Sequence, residues 1–157
     1  MSEAKGKAIV LQPGEGRSID LGGFVMTVKE TSDDTGGAFS LLEADGPPDF
    51  GPPLHIHHNA AEAFYVLKGE YIIFLGADKI VCPPGSFIFI PAGVMHGFRV
   101  GAKPSRKLNF YTPAAMVGYF DELSAATARG EVDPESLSEI AEKHGMEVVG
   151  PVPKGYA

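Results

Sequence analysis

Basic charge is scarce in this chain. Thirteen Lys and Arg against 20 Asp and Glu leave its 157 residues at a formal −7 with histidine neutral. No Lys/Arg run breaks that balance, which argues against a phosphate-coating surface and hence against a nucleic-acid partner. Cysteine is nearly absent. Cys82 stands alone, so no internal disulfide can form and an oxidising compartment is not being exploited. Long hydrophobic runs are missing as well: stretches such as 71–75 and 87–90 are far short of a bilayer span, so no membrane partner is expected. The opening Met1-Ser2-Glu3-Ala4-Lys5 has no basic segment followed by an apolar stretch. It reads as lacking a signal peptide, and the expected location is cytoplasmic.

What the chain has is turn residues. Gly 20 and Pro 13 suit many short strands better than a helical bundle. Apolar residues at 44% and charged residues at 21% are ordinary globular composition, and the length fits one domain over 1–157. Segments 24–29, 38–43, 63–68, 71–75, 87–90 and 108–111 are short, mostly rich in Phe, Tyr, Val and Ile, and bounded by Gly, Pro, Asp or Ser. Several are apolar on both faces, as expected where one face fills a core and the other meets a second sheet or subunit. The expected fold class is all-β with C-terminal helices, a sandwich or barrel over about 15–112.

The last third changes character. Residues 113–129 place Met116, Val117, Phe120 and Leu123 on one helical stripe, with Gly130 as the stop. Asp133-Pro134-Glu135 announces a second helix, burying Leu137, Ile140 and Ala141 and ending at His144-Gly145. The helical segment, about 113–145, reads as a lid or brace on the β domain, and 146–157 as a Pro/Gly-rich surface tail.

Histidine carries the chemistry. In a strand alternate residues share a face, so His55 and His57 point one way and Ile56 and His58 the other. Glu62 follows across a short turn, and Pro91-Ala92-Gly93 is placed to return His96 along a neighbouring strand. Three neutral imidazoles and one carboxylate form a mixed N/O donor set for one Fe, Mn, Co, Ni, Cu or Zn ion, and disfavour Ca and Mg. His58 is read as a non-ligand and His144 as a helix-end cation near the macrodipole. Cys82, beside Pro83, is read as a small packed residue. Phe87, Phe89, Phe98 and Phe110 are read as primarily core.

At these residues the sequence resembles the cupin superfamily. His55-x-His57-x4-Glu62-x6-Gly69 and Gly85-x5-Pro91-x-Gly93-x2-His96 reproduce most of its two motifs, with Val100 standing where the second usually has Asn. The run from Asp34 to Glu70 is similar to the quercetin-dioxygenase-like small single-domain members. The resemblance covers about residues 15–112 and implies a jelly-roll β-barrel (a double-stranded β-helix) holding one metal, often as a homodimer.

Four ligands leave open positions on a five- or six-coordinate ion, which favours catalysis over a structural role. The resemblance also implies that Glu62 serves as a base. The leading expectation is a metal-dependent dioxygenase acting on an enolisable or phenolic aromatic small molecule. The rivals are a zinc-dependent cyclase or isomerase of polyketide-like substrates and a non-catalytic metal-assisted binding module. Strand alternation from Glu62 and His96 turns Phe64, Val66, Phe98 and Val100 inward as pocket candidates, joined by Met26, Asn109 and Tyr111. No arginine is evidently placed to clamp a dicarboxylate, so the pocket is expected to take a flat aromatic or apolar ligand.

Overall fold

Residue alternation sets the architecture. In the computed structural model, which describes residues 6 and 8–150, the chain runs through β1 (Arg17–Asp20), β2 (Val25–Glu30), a one-turn α1 (Ser32–Thr35), β3 (Ser40–Gly46), β4 (Leu54–His57) and β5 (Ala61–Lys68). It continues through β6 (Tyr71–Leu75), β7 (Asp78–Cys82), β8 (Phe87–Ile90), β9 (His96–Val100), β10 (Ser105–Thr112), α2 (Val117–Ala128), α3 (Pro134–Lys143) and β11 (Met146–Gly150). The strands form two antiparallel sheets, ordered β1-β2-β3-β10-β5-β8 and β11-β4-β9-β6-β7. Among the described residues the ladders do not close on each other, so the expected barrel takes the form of a jelly-roll sandwich. Met26, Leu42, Phe64, Val66, Tyr71, Ile73, Phe98 and Val100 form one core, drawn from strands of both sheets.

Chain connections carry the fold between sheets. The turn after His57 moves the chain from the five-stranded sheet into β5 of the six-stranded one, and the turn at Pro91–Gly93 moves it back into β9. Gly93 N–H donates to the His57 carbonyl at 2.8 Å, which joins the two crossings. Gly69 closes β5 to β6 at φ 73°, and a Cβ there would overlap Ser105 Oγ. That hydroxyl cannot simply move away, because it accepts from Glu70 N–H at 2.9 Å and donates to backbone carbonyl oxygen. Gly69→Ala is therefore expected to cost about 1–2 kcal/mol from the left-handed backbone alone. Urea unfolding reads that loss as a lower midpoint at unchanged slope, and an unchanged midpoint would contradict it.

The second predicted helix, α3, lies where the sequence puts it, whereas α2 begins at Val117, four residues after Pro113, with Met116 as its N-cap at φ 73°. Asp133 caps α3 by accepting from Ser136 N–H at 2.8 Å while Ser136 Oγ accepts from Asp133 N–H at 2.9 Å, and Pro134 opens the first turn. His144 ends α3 and its Nε2 lies 2.8 Å from Glu122 Oε2 on α2. No helix among the described residues is long and apolar enough to cross a membrane.

Two sequence expectations are corrected. The start of the supposed surface tail, 146–150, is β11, an edge strand pairing Met146 with His57 and Val148 with His55. Met146 is buried; residues 151–157 lie outside the described residues. Phe87 and Phe89 are not core: β8 is an edge strand that turns Ile88 and Ile90 inward and leaves the two rings 67% and 55% exposed. Phe98 is buried as expected, Phe110 is half-buried, and Cys82 is buried, its thiol pushed up by burial.

Candidate metal centre

Three imidazoles and one carboxylate converge between the sheets. His55 and His57 come from β4 and His96 from β9, where His55 and His96 are direct cross-strand partners. Glu62 enters from β5 on the opposite sheet. One potential donor atom from each residue lies within 4.8 Å of the others, and all four residues are buried. His58 points away, exposed, with Nε2 2.7 Å from Glu147 Oε2.

The hydrogen bonds fix which atoms face inward. His55 Nδ1–H donates to the Pro53 carbonyl at 2.8 Å and His96 Nδ1–H to the Val94 carbonyl at 2.9 Å, since a carbonyl can only accept. Each therefore offers Nε2 to the cluster, the orientation that metal-ligating histidines take. His96 Nε2 is 2.8 Å from Glu62 Oε2. Two such atoms need a proton or a cation between them. His57 Nε2 is 2.9 Å from the same oxygen, yet neither ring nitrogen of His57 has a hydrogen-bond partner. Ligands bound to one ion at about 2.0–2.2 Å stand roughly 3 Å apart when cis, so these orphaned buried nitrogens fit a metal better than they fit a network without one.

Electrostatics point the same way. Burial, reinforced by His96 and His57, pushes His55 down to about 3, so its ring is neutral. Burial pulls His96 down, but the hydrogen bond and charge of Glu62 outweigh it and leave the ring raised. Burial pushes the Glu62 carboxyl up, and the facing nitrogens of His57 and His96 hold it well below the usual range. The charged Glu62 carboxylate and the neutral His55 ring are in the donor state a divalent ion requires, and an ion bound here would displace the proton that Glu62 favours on His96.

The cluster sits at one wall of a cavity of about 260 Å³. Phe24 and Phe50, stacked at 4.5 Å, lie on the sheet side, and Tyr119, Phe120 and Leu123 of α2 and Leu137 of α3 form the helical wall. The helices thus serve the site and do more than brace the sheet. Of the pocket candidates, Met26, Phe98, Asn109 and Tyr111 line this cavity. Phe64, Val66 and Val100 face inward as alternation requires but are buried in the core and do not line the cavity.

One residue escaped the sequence reading. Lys107 is 1% exposed and lines the cavity, a cation that a search for an arginine clamp does not find. Its signal was present: Lys107, Asn109 and Tyr111 alternate along β10, so they share a face. Lys107 Nζ donates to Asn109 Oδ1, while Asn109 Nδ2 donates to Glu62 Oε1 at 2.9 Å and to the Tyr111 hydroxyl at 2.8 Å.

Comparison with known proteins agrees with this architecture. The cupin domain family matches residues 44–110, which contain all four cluster residues. The chain carries a cupin domain. Over 114 residues this cupin is 25% identical to quercetin 2,3-dioxygenase of Bacillus subtilis (strain 168), covering 73% of the chain but 34% of that protein. It therefore spans about a third of that relative's length. The fold is shared with an RmlC-like cupin from Shewanella frigidimarina at TM-score 0.61 and 16% identity, over 71% of this chain and 96% of that one. The polyketide cyclase RemF from Streptomyces resistomycificus matches at TM-score 0.52 and 26% identity, over 63% of this cupin and 69% of that chain.

Proposed function

We propose that this cupin binds one divalent transition metal through His55, His57, Glu62 and His96 and acts as a dioxygenase on an enolisable or phenolic aromatic molecule. The observation that carries the reading is the donor cluster with its orphaned His57 nitrogens, opening onto an apolar cavity. The likeness to quercetin 2,3-dioxygenase supports the reaction class. When bound, Fe, Mn, Ni, Co or Cu supplies one-electron chemistry toward dioxygen, and Zn supplies Lewis acidity without it. The chain's own groups hold the substrate: the rings of Phe24, Phe50 and Phe98 bracket an aromatic body and exclude water. Glu62 Oε2 takes the proton of the enolic or phenolic hydroxyl, and Asn109 steadies the other oxygen.

The test is oxygen uptake with quercetin by protein purified without chelators, beside elemental analysis. Uptake at a rate that follows metal content supports the reading; a metal-replete protein that consumes no oxygen retires it for this substrate. The 26% identity to a polyketide cyclase favours a second reading, cyclisation or isomerisation without oxygen. Turnover of a polyketide-like substrate under anaerobic conditions by the zinc-loaded protein would move that reading to first place. A metal-replete protein that binds aromatics without turnover would be a binding module.

A single domain is supported over the described residues, where β11, α2 and α3 all contribute to the same cavity, and a cytoplasmic location is part of the same proposal. We propose that the chain forms a homodimer through the outer face of the six-stranded sheet, a reading supported by the exposed Tyr65, Phe87 and Phe89 at its open β8 edge. Phe89→Glu is expected to convert a dimer to a monomer in sedimentation velocity. A wild-type chain that already sediments as a monomer would overturn the assignment.

A further inference from the structure

Lys107 is a buried amine with no carboxylate in ion-pair contact among the described residues. Its three N–H donors meet one hydrogen-bond acceptor among the described residues, Asn109 Oδ1, and no carboxylate lies within ion-pair distance. The rest of its surroundings are aromatic: Nζ is 4.0 Å from the ring centre of Phe64, 4.4 Å from Phe98 and 5.7 Å from Tyr71. Ring faces attract an ammonium but do not occupy its hydrogen-bond donors. An ammonium left so far from water is costly, and burial pushes this one down to about 7 despite the pull of the Glu62 charge. A lysine that merely filled space here would be served better by an apolar side chain of the same length. The side chain instead borders the cavity on the strand that also presents Asn109 and Tyr111.

We infer that Lys107 is the anion-holding residue of this cavity, so that its ligand is an organic monoanion with an apolar, flat body. The anionic oxygen lies against Lys107 Nζ and the body packs on Phe24, Phe50 and Phe98. The inference rests on the reading that the cavity is the substrate site, and it narrows the substrate class beyond aromatic to aromatic acid. The chemistry has two sources, a carboxylate or an ionised phenol, and both place an oxygen charge where the donors of Lys107 stand free.

Calorimetric titration tests it with two matched pairs: 2-naphthoate against 2-naphthamide, and 4-nitrophenolate against 4-nitroanisole. Wild-type protein is expected to prefer at least one anion over its neutral partner by tenfold or more. Lys107→Met and Lys107→Gln should both reduce that preference to within about twofold while the neutral partner binds as before. The glutamine variant keeps a donor for Asn109 Oδ1, so a preference lost in both variants belongs to the charge and not to local packing. The arm that shows the effect names the source. No preference in either arm, or a preference that survives in Lys107→Gln, overturns the inference. Elemental analysis of each protein separates this result from the metal reading: a preference that depends on Lys107 in protein unable to hold metal leaves the anion site standing and the metal reading fallen, and the converse outcome reverses the two.

Discussion

His57→Ala is expected to lose about nine-tenths or more of the metal that the wild-type protein holds, with little change in far-UV circular dichroism. His57 is buried, and neither of its ring nitrogens has a hydrogen-bond partner, so the fold gains nothing from those atoms that a ligand does not supply. A buried ring nitrogen left unpaired costs about 1–3 kcal/mol, and that cost is removed with the ring. What the variant loses is one of four donors and the geometry that sets Nε2 2.9 Å from Glu62 Oε2. Elemental analysis of untagged protein purified without chelators measures the loss directly. Melting supplies a second readout, since an ion that binds only the folded chain raises its stability in proportion to occupancy. Chelator should therefore lower the melting temperature of wild-type protein and leave that of His57→Ala nearly unmoved. Stoichiometric metal retained in the variant would remove His57 from the site.

This cluster could be read from sequence because strand alternation pairs two of its donors and the spacing of all four resembles a known family's motifs. His55 and His57 share a face through strand alternation alone, and the Pro91-Ala92-Gly93 turn returns the chain so that His96 lies opposite His55. What sequence hid depended on partners far along the chain. The 87–90 segment alternates apolar residues on both faces, so nothing local says that Ile88 and Ile90 turn inward while Phe87 and Phe89 stay in water. That outcome follows from the place of β8 at a sheet edge beside β5. Likewise Met146–Gly150 reads as tail until β4 offers its free edge and Met146 docks against His57. Lys107 was missed for a different reason. Lysine is almost never fully buried unless paired, so a reading by residue type sends it to the surface, whereas alternation from Asn109 and Tyr111 sends it inward. Where type and period disagree, a functional demand on the site is the usual cause. The same alternation placed Phe64, Val66 and Val100 inward correctly but could not say which inward residues reach the cavity, because that depends on where the helices seal it.

Glu62→Gln separates ligand from base. The substitution keeps size and shape, and one side-chain oxygen can still accept from Asn109 Nδ2 as Glu62 Oε1 does at 2.9 Å. It removes the negative charge and with it the ability to receive a proton at Oε2. The glutamine carbonyl oxygen can still act as a donor beside His55, His57 and His96, so the variant, unlike His57→Ala, keeps four donors and is expected to hold at least half of the wild-type metal. Turnover should fall about a hundredfold or more, the scale on which a positioned general base contributes. With quercetin as probe, oxygen uptake per bound metal is the quantity to compare, because it cancels partial loading. The alternative roles give different results. If Glu62 only ligates, metal falls and activity per bound metal stays near wild type. If it only braces the cluster, removing its charge beside His57 and His96 lowers the melting temperature while metal-normalised turnover is again unchanged. A metal-normalised rate equal to wild type therefore ends the case for Glu62 as the base, whatever happens to loading.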